Sequence, residues 1–351
     1  PGVAKMAGGA GFQVVQIGRQ LRELGHTISY VVGDFGQPFF DVADGFSTYR
    51  ASRVYGGWKL TRGPANVLRL LRAMRAARAD HYVLRSIRPL SFFVLVLARM
   101  LGASYTFMIA NLPHVTREEM EGMSRILRFL YAWSLRHADL VTVQSREQER
   151  LLLENFAVRG MLVPNGIAIP PFPEAMPGTS HDVAWVSTVK PVKRPDRLLE
   201  IARALPERRF LVAGGPGSDR GYYDEMVARF AGQPNLTYAG FVPPDRVKEI
   251  YRAGRLFLLT SRFEGFPNTF LQAWALGIPV CALDIDPDGV VAEHGLGIVE
   301  ADVQLLAGKI DALLNDRDAY EAMRRRCHEY VRRCHSLERL RDAFLAALPV
   351  K

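Results

Sequence analysis

Glu264 stands in the run Glu264-Gly265-Phe266-Pro267-Asn268-Thr269-Phe270-Leu271-Gln272, which follows an apolar segment at 256–259 and opens a helical pattern reaching residue 276. Pro267 suits the first turn of a helix, because its missing N–H would lack an intrahelical partner in any case. The amides of Asn268, Thr269 and Phe270 are then expected to face an anion, with the positive end of the helix dipole behind them. A carboxylate in such a loop can accept hydrogen bonds from ligand hydroxyls, whereas its plainer use is to complement the helix dipole. Gly8-Gly9-Ala10-Gly11, ahead of a helical pattern from residue 12, offers a second place for an anion, and a structural tight turn explains it about as well. His114 follows an apolar strand pattern at 105–109, with Asn111 as a nearby competitor and a solvated loop histidine as the bland alternative. His26, between Gly25 and Thr27, reads as part of a helix stop.

These groups need elements to hold them, and the punctuation is that of an α/β protein. A helical pattern at 12–24 ends at Gly25 and gives way to a β-rich run at 27–32. Strands are expected at 81–84, 105–109 and 140–143, between helices at 64–79, 91–101 and 125–136. A second series follows at 183–187, 209–212, 236–239, 256–259 and 280–282, most of these strands leading through a turn into a helix. Strands alternating with helices imply parallel sheets with crossovers, whose ligands bind beyond the carboxyl ends of the strands. Prolines and a glycine at 164–173 interrupt both periodicities and mark a boundary. The expected organisation is an N-terminal Rossmann-like domain at 1–168, a linker at 169–180, a second such domain at 181–332 and a C-terminal segment at 333–351. The helix of that last segment is free to pack back on the first domain. Residues 1–7 are not an apolar strand, so the first strand of the N-terminal sheet is expected upstream of Pro1.

A length of 351 residues, with 48% hydrophobic and 23% charged residues, suits two soluble globular domains. The longest apolar stretch, 91–98, ends at Arg99, well short of the roughly 20 residues of a membrane-spanning helix. No secretion signal is recognised at the start, and Cys281, Cys327 and Cys334 lack CxxC or zinc-ligand spacing, so idle thiols in the cytoplasm are expected. The net charge of +9 is uneven: 21 Lys/Arg oppose 12 Asp/Glu in residues 1–168, against 24 and 24 in the remainder. Between Arg50 and Arg88 ten basic residues face only Asp80, several on the helical pattern at 64–79 beside Val67, Leu68, Leu71 and Met74. Such a face suits an anionic membrane surface, a phosphate-bearing acceptor or nucleic acid, or is simply solvated. No aromatic-interleaved basic motif or zinc-finger spacing supports nucleic acid.

Taken together, GFVPPDRVKEIYRAG, LFLLTSRFEGFPNTFLQAWALGIPV and DIDPDG resemble the donor-binding region of retaining glycosyltransferases of the GT-B fold, the glycogen-synthase-like family four group (glycosyl transferases group 1). AGGAG with GRQLRELGHTISYVV, VTVQSREQERLLLENF leading into VPNGI, and WVSTVKPVKRPDRLLEIARALPERRFLVAGG extend the likeness, in order, over nearly the whole chain. The resemblance implies two facing Rossmann-like domains with parallel sheets and a cleft between them, closing over a nucleotide diphosphate sugar, a UDP-sugar more readily than a GDP-sugar. It places Glu264 against the transferred sugar and Lys193, with Lys190 near it, against the diphosphate. Gly214 and Gly215 would line the nucleotide, the backbone at Val242 would read the base, and Phe266 and Gln272 would complete the donor site. Gly9 and Gly11 would approach the phosphates from the other domain, and His114 would face the reaction centre from the acceptor side. Two positions depart from the pattern: Gln272 stands where a glutamate holds the ribose hydroxyls, and Thr188 where an arginine shares the diphosphate. The amide oxygen of Gln272 is expected to accept from the ribose, and Lys190 to replace part of the missing charge.

The activity implied is transfer of a hexosyl-type sugar with retention, without metal or other cofactor, to a glycan or lipid-linked acceptor in cell-surface polysaccharide or glycoconjugate synthesis. The enzyme is expected in the cytoplasm, in peripheral contact with anionic membrane through its basic half and without nucleic acid. The alternatives are a sugar-nucleotide epimerase of the same fold and a silent homologue that binds nucleotide without turnover, the latter on account of Gln272 and Thr188. A nicotinamide dehydrogenase lacks support, because no GxGxxG follows a strand with an acidic residue some 20 positions on.

Overall fold

The structure, a computed structural model, describes residues 9–51, 63–85, 88–117, 122–173 and 180–348. Its contacts divide the chain into two units, Pro1–Pro164 with Leu340–Lys351, and Asn165–Arg339.

Unit 1 opens with helix α1 (Gly9–Glu23), so Gly9 and Gly11 form the first turn of the helix where a preceding glycine loop was expected; Gly8 lies outside the described residues. Gly25, at φ +90°, ends it where only glycine is unstrained. Strands β1 (Ser29–Val32), β2 (Phe40–Ala43) and β3 (Phe46–Arg50) form a small sheet in the order β1-β3-β2. β1 and β3 are parallel, but β2 and β3 make an antiparallel hairpin turned by Asp44 and Gly45 at φ 53° and 77°. Two positive φ angles are what a two-residue turn needs to follow the twist of its strands.

The chain continues through α2 (Gly63–Ala77), β4 (His81–Arg85), α3 (Arg88–Met100), β5 (Ser104–Met108), α4 (Arg125–His137), β6 (Leu140–Val143), α5 (Arg146–Phe156) and β7 (Met161–Leu162). β4 to β7 form a parallel sheet in chain order. Every residue of β6 is buried, because helices cover both faces of a parallel sheet. Tyr105, Phe107, Leu135, Val143 and Leu152 fill the core beside it.

Unit 2 follows with β8 (His181–Val186), α6 (Pro195–Ala204), β9 (Phe210–Ala213), α7 (Arg220–Ala231), β10 (Leu236–Tyr238), α8 (Val247–Ala253), β11 (Gly254–Leu259), α9 (Asn268–Ala275) and β12 (Val280–Leu283). It ends with α10 (Val290–Glu293), β13 (Gly297–Glu300), α11 (Val303–Asn315) and α12 (Arg317–Cys334). The six strands are all parallel, in the order β10-β9-β8-β11-β12-β13. From β8 the chain winds outward to β9 and β10, then returns past β8 to β11 and winds the other way. The loops after β8 and β11 therefore diverge at a topological switch point, where such sheets leave a crevice.

Trp185, Leu198, Phe210, Leu258 and Ile310 pack one core of unit 2, and Phe257, Phe270, Trp274 and Val280 another. Each such side chain stabilises the fold by about 1.5–3 kcal/mol when removed from water. The proline-rich stretch expected as a linker is tied to α12: Arg324 donates to the Pro173 carbonyl at 3.0 Å, and His328 Nε2 lies 2.9 Å from that of Pro170. A last helix, α13 (Leu337–Ala347), returns to unit 1, where Leu340 and Phe344 pack against Ile17, Met108 and Val163. No helix among the described residues is long and apolar enough to cross a membrane.

Candidate active site

The loops after β8 and β11 meet through an ion pair, the Lys193 ammonium donating to Glu264 Oε1 in a short contact. Lys193 ends a 3-10 turn (Pro191–Lys193), and its carbonyl accepts from Thr260 Oγ1 at 2.7 Å, itself the acceptor of Trp185 Nε1 at 3.0 Å. Arg262 N–H donates to the Val192 carbonyl at 2.8 Å. Arg194, in the left-handed region at φ 46°, gives its guanidinium to the carbonyls of Thr260, Ser261 and Leu283 at 2.6, 3.2 and 3.0 Å and to Asp284 Oδ2 at 3.1 Å. It clamps the β8 loop to the ends of β11 and β12, and is too engaged to stand in for the arginine missing at Thr188. The pair it positions is partly shielded, its side chains 20% and 14% exposed. Lys190 lies nearby; partial burial and the like charge of Lys193 hold its ammonium below the usual lysine value, with Glu264 opposing the shift.

The loops after β8 and β9 run side by side, Val189 N–H donating to the Gly215 carbonyl at 2.9 Å and Gly217 N–H to that of Val189 at 3.3 Å. A β-carbon on Gly214 would lie 1.9 Å from the Ser187 carbonyl oxygen, so only glycine fits. Gly214 N–H reaches the Gly240 carbonyl at 2.8 Å, which brings the loop after β10 alongside. That loop carries Val242, half-buried, and Phe241, 68% exposed and lying against Gly215. Phe241 was not singled out from the sequence, although an aromatic between Gly240 and Val242 offers a flat face to a heterocycle.

Helix α9 begins where expected, with Pro267 at its N-cap. Phe270 and Gln272 of this helix, and Phe266 ahead of it, act otherwise than the sequence predicts. Phe270 N–H donates to the Pro267 carbonyl at 3.1 Å, because the turn tightens there, so it is not open to an anion; its ring is fully buried. The Phe266 ring is also core, 4.6 Å from the His335 ring and 6.3 Å from that of Trp274 between centroids. Asn268 and Thr269 stand in the first turn, half-buried. Gln272 Oε1 accepts from the buried Tyr251 hydroxyl at 2.9 Å, which engages the oxygen expected to serve a ribose. A buried link unforeseen from the sequence fixes the loop from behind: Asn165 Nδ2 donates to the Phe266 carbonyl at 3.0 Å, and His335 Nδ1 donates to the Asn165 carbonyl at 2.8 Å.

The other three predicted residues belong to unit 1. Gly9 and Gly11 occupy the start of α1. His114 closes a 3-10 turn (Leu112–His114) and is buried, its carbonyl accepting from Tyr131 Oη at 3.1 Å, so it is no solvated loop histidine; Asn111 is exposed.

Open parallel sheets of this kind bind ligands, nucleotides among them, in the crevice at their switch point. Residues 8–166 match the model of the glycosyl transferase 4-like domain, and residues 171–333 that of glycosyl transferases group 1. The chain belongs to the GT-B-fold glycosyltransferases of the group 1 type. It is 32% identical over 185 residues to D-inositol 3-phosphate glycosyltransferase of Nocardia farcinica, a match covering 47% of this chain and 40% of that one. The chain thus spans less than half the length of that relative. Among solved structures it resembles sucrose-phosphate synthase from Thermosynechococcus elongatus, with a TM-score of 0.80 at 18% identity over 97% of this chain and 92% of the other. It also resembles HepE of Anabaena, in complex with UDP and glucose, with a TM-score of 0.76 at 16% identity over 97% and 96%.

Proposed function

We propose that this protein transfers a sugar from a nucleotide diphosphate sugar, a UDP-sugar before a GDP-sugar, to a glycan or lipid-linked acceptor with retention of anomeric configuration. The observation that carries the reading is the Lys193 and Glu264 pair at the switch point of the six-stranded sheet. Departure of the nucleotide builds negative charge on the β-phosphate and positive character on the sugar. Lys193, Lys190 and the amides of Asn268 and Thr269 answer the first, and preorganised donors of this kind are usually the largest catalytic contribution. Glu264 accepts hydroxyl hydrogen bonds from the sugar. The Gly214 and Gly215 loop and the backbone at Val242 seat the nucleotide, with Phe241 against the base. Gln272, its oxygen held by Tyr251, meets the ribose as an N–H donor. The acceptor attacks the face the nucleotide leaves; unit 1 takes the acceptor, and its candidate residues are His114, Gly9 and Gly11. UDP in the HepE complex supports the choice of nucleotide.

Thermal unfolding with UDP-, GDP- and ADP-sugars tests the donor, since binding to the folded state raises the melting temperature. Stabilisation by UDP-sugars and an α-linked product from an α-linked donor, undiminished by chelator, are expected. No stabilisation by any of the three overturns the reading. A second reading, a nucleotide-binding homologue without turnover, is favoured by the engaged Gln272 oxygen and by Thr188; tight UDP binding without transfer over a broad acceptor panel selects it.

A further inference from the structure

Unit 1 holds a cleft of about 470 Å³ whose lining includes Asp34, Phe39, Arg50, Asn66, Arg69 and Arg72. Arg50 ends β3, while Asn66, Arg69 and Arg72 recur every three residues along α2 and so line one side of that helix. The Arg72 guanidinium is stacked over the Phe39 ring, 4.3 Å from its centroid, which fixes its plane. Arg50 reaches Asp34 Oδ1 at 3.7 Å, so this carboxylate of the lining opposes one of its three guanidinium groups. Among the described residues no carboxylate pairs with Arg69 or Arg72. Gathering three guanidinium groups around one cavity costs mutual repulsion that an anion relieves, and the planar forks match the oxygens of a phosphate. The volume falls in the range of clefts for small molecules, about 300–1,000 Å³.

We propose that this cleft binds the phosphate of a phosphomonoester, held between Arg69 and Arg72 with Arg50 behind and the Asn66 amide as a further donor. Resting on the reading of unit 1 as the acceptor half of a glycosyltransferase, the ligand is a phosphorylated acceptor. Calorimetric titration of the full chain with glycerol 3-phosphate, and in a parallel arm with vesicles containing phosphatidic acid, distinguishes a soluble ester from a lipid headgroup. Saturable binding in either arm is expected to weaken by about tenfold or more in Arg69→Ala/Arg72→Ala and to fall as salt rises. Arg69→Gln, which leaves the Phe39 stack intact, is expected to weaken it in the same direction with an unchanged melting temperature. UDP binding, measured on the same samples, stays at the wild-type value. Equal affinity in wild type and variants, or no saturable binding in either arm, overturns the cleft as a phosphate site. Arginine-dependent phosphate binding in a protein that binds no nucleotide sugar upholds the cleft and sinks the transferase reading instead.

Discussion

Lys193 and Glu264 depend on each other, since either alone would leave a partly shielded charge without its partner. Lys193→Ala and Glu264→Ala are each expected to lower turnover by about tenfold or more while the far-UV spectrum is kept. The double variant should lose less than the sum of the two in free energy, because the groups share one interaction. Strictly additive losses in a double-mutant cycle would show that they act separately. His335 supplies a second test. Burial holds its imidazole down to about 4 from an ordinary 6.5, the hydrogen bond to Asn165 opposing in part. The folded state therefore resists protonation that the unfolded state accepts, and the stability due to a neutral His335 is full above the unfolded value. It is lost as pH falls from about 6.5 toward 4, at up to about 1.4 kcal/mol per pH unit. Urea unfolding of wild type and His335→Gln between those limits checks this, and parallel curves would refute it.

At the level of elements, the loop pair after β8 and β9 is the least forgiving piece. A methyl group at Gly214 meets the Ser187 carbonyl, so Gly214→Ala must part the two loops. UDP affinity is expected to fall by about tenfold or more with a loss of about 1–3 kcal/mol in stability; an unchanged affinity would remove this loop from the nucleotide site. Much of the frame is legible in the sequence, because alternation of β-rich runs with amphipathic helices fixes the class, and 140–143 coincides with β6. The hairpin of β2 and β3 was missed although Asp44-Gly45 is a turn signal, its flanking strands being short and half polar. The helix start at Pro267 was readable from local rules, but the engaged Phe270 amide was not, since it depends on how tightly one turn closes. Arg194, His335 and Tyr251 escaped for another reason: their roles come from partners between 21 and 170 positions away, which no local pattern encodes.

Across the whole molecule, the charge is unevenly spread. The excess of basic residues belongs to the first 168 positions, where the arginine cleft lies, while the remainder is balanced and carries the glycine loops. Removing the residues after Arg339 strips Leu340 and Phe344 from Ile17, Met108 and Val163. At about 1.5–3 kcal/mol for each large side chain, unit 1 is expected to melt earlier while unit 2 keeps its transition and its UDP binding. Calorimetry showing both transitions unmoved would contradict this. The same helix sets a timetable for biogenesis. On the ribosome the first 164 residues emerge long before the strip that caps their apolar face, and all of unit 2 must be translated in between. The nascent N-terminal half therefore waits with Ile17, Met108 and Val163 uncovered, the interval in which a holdase chaperone would find a binding site.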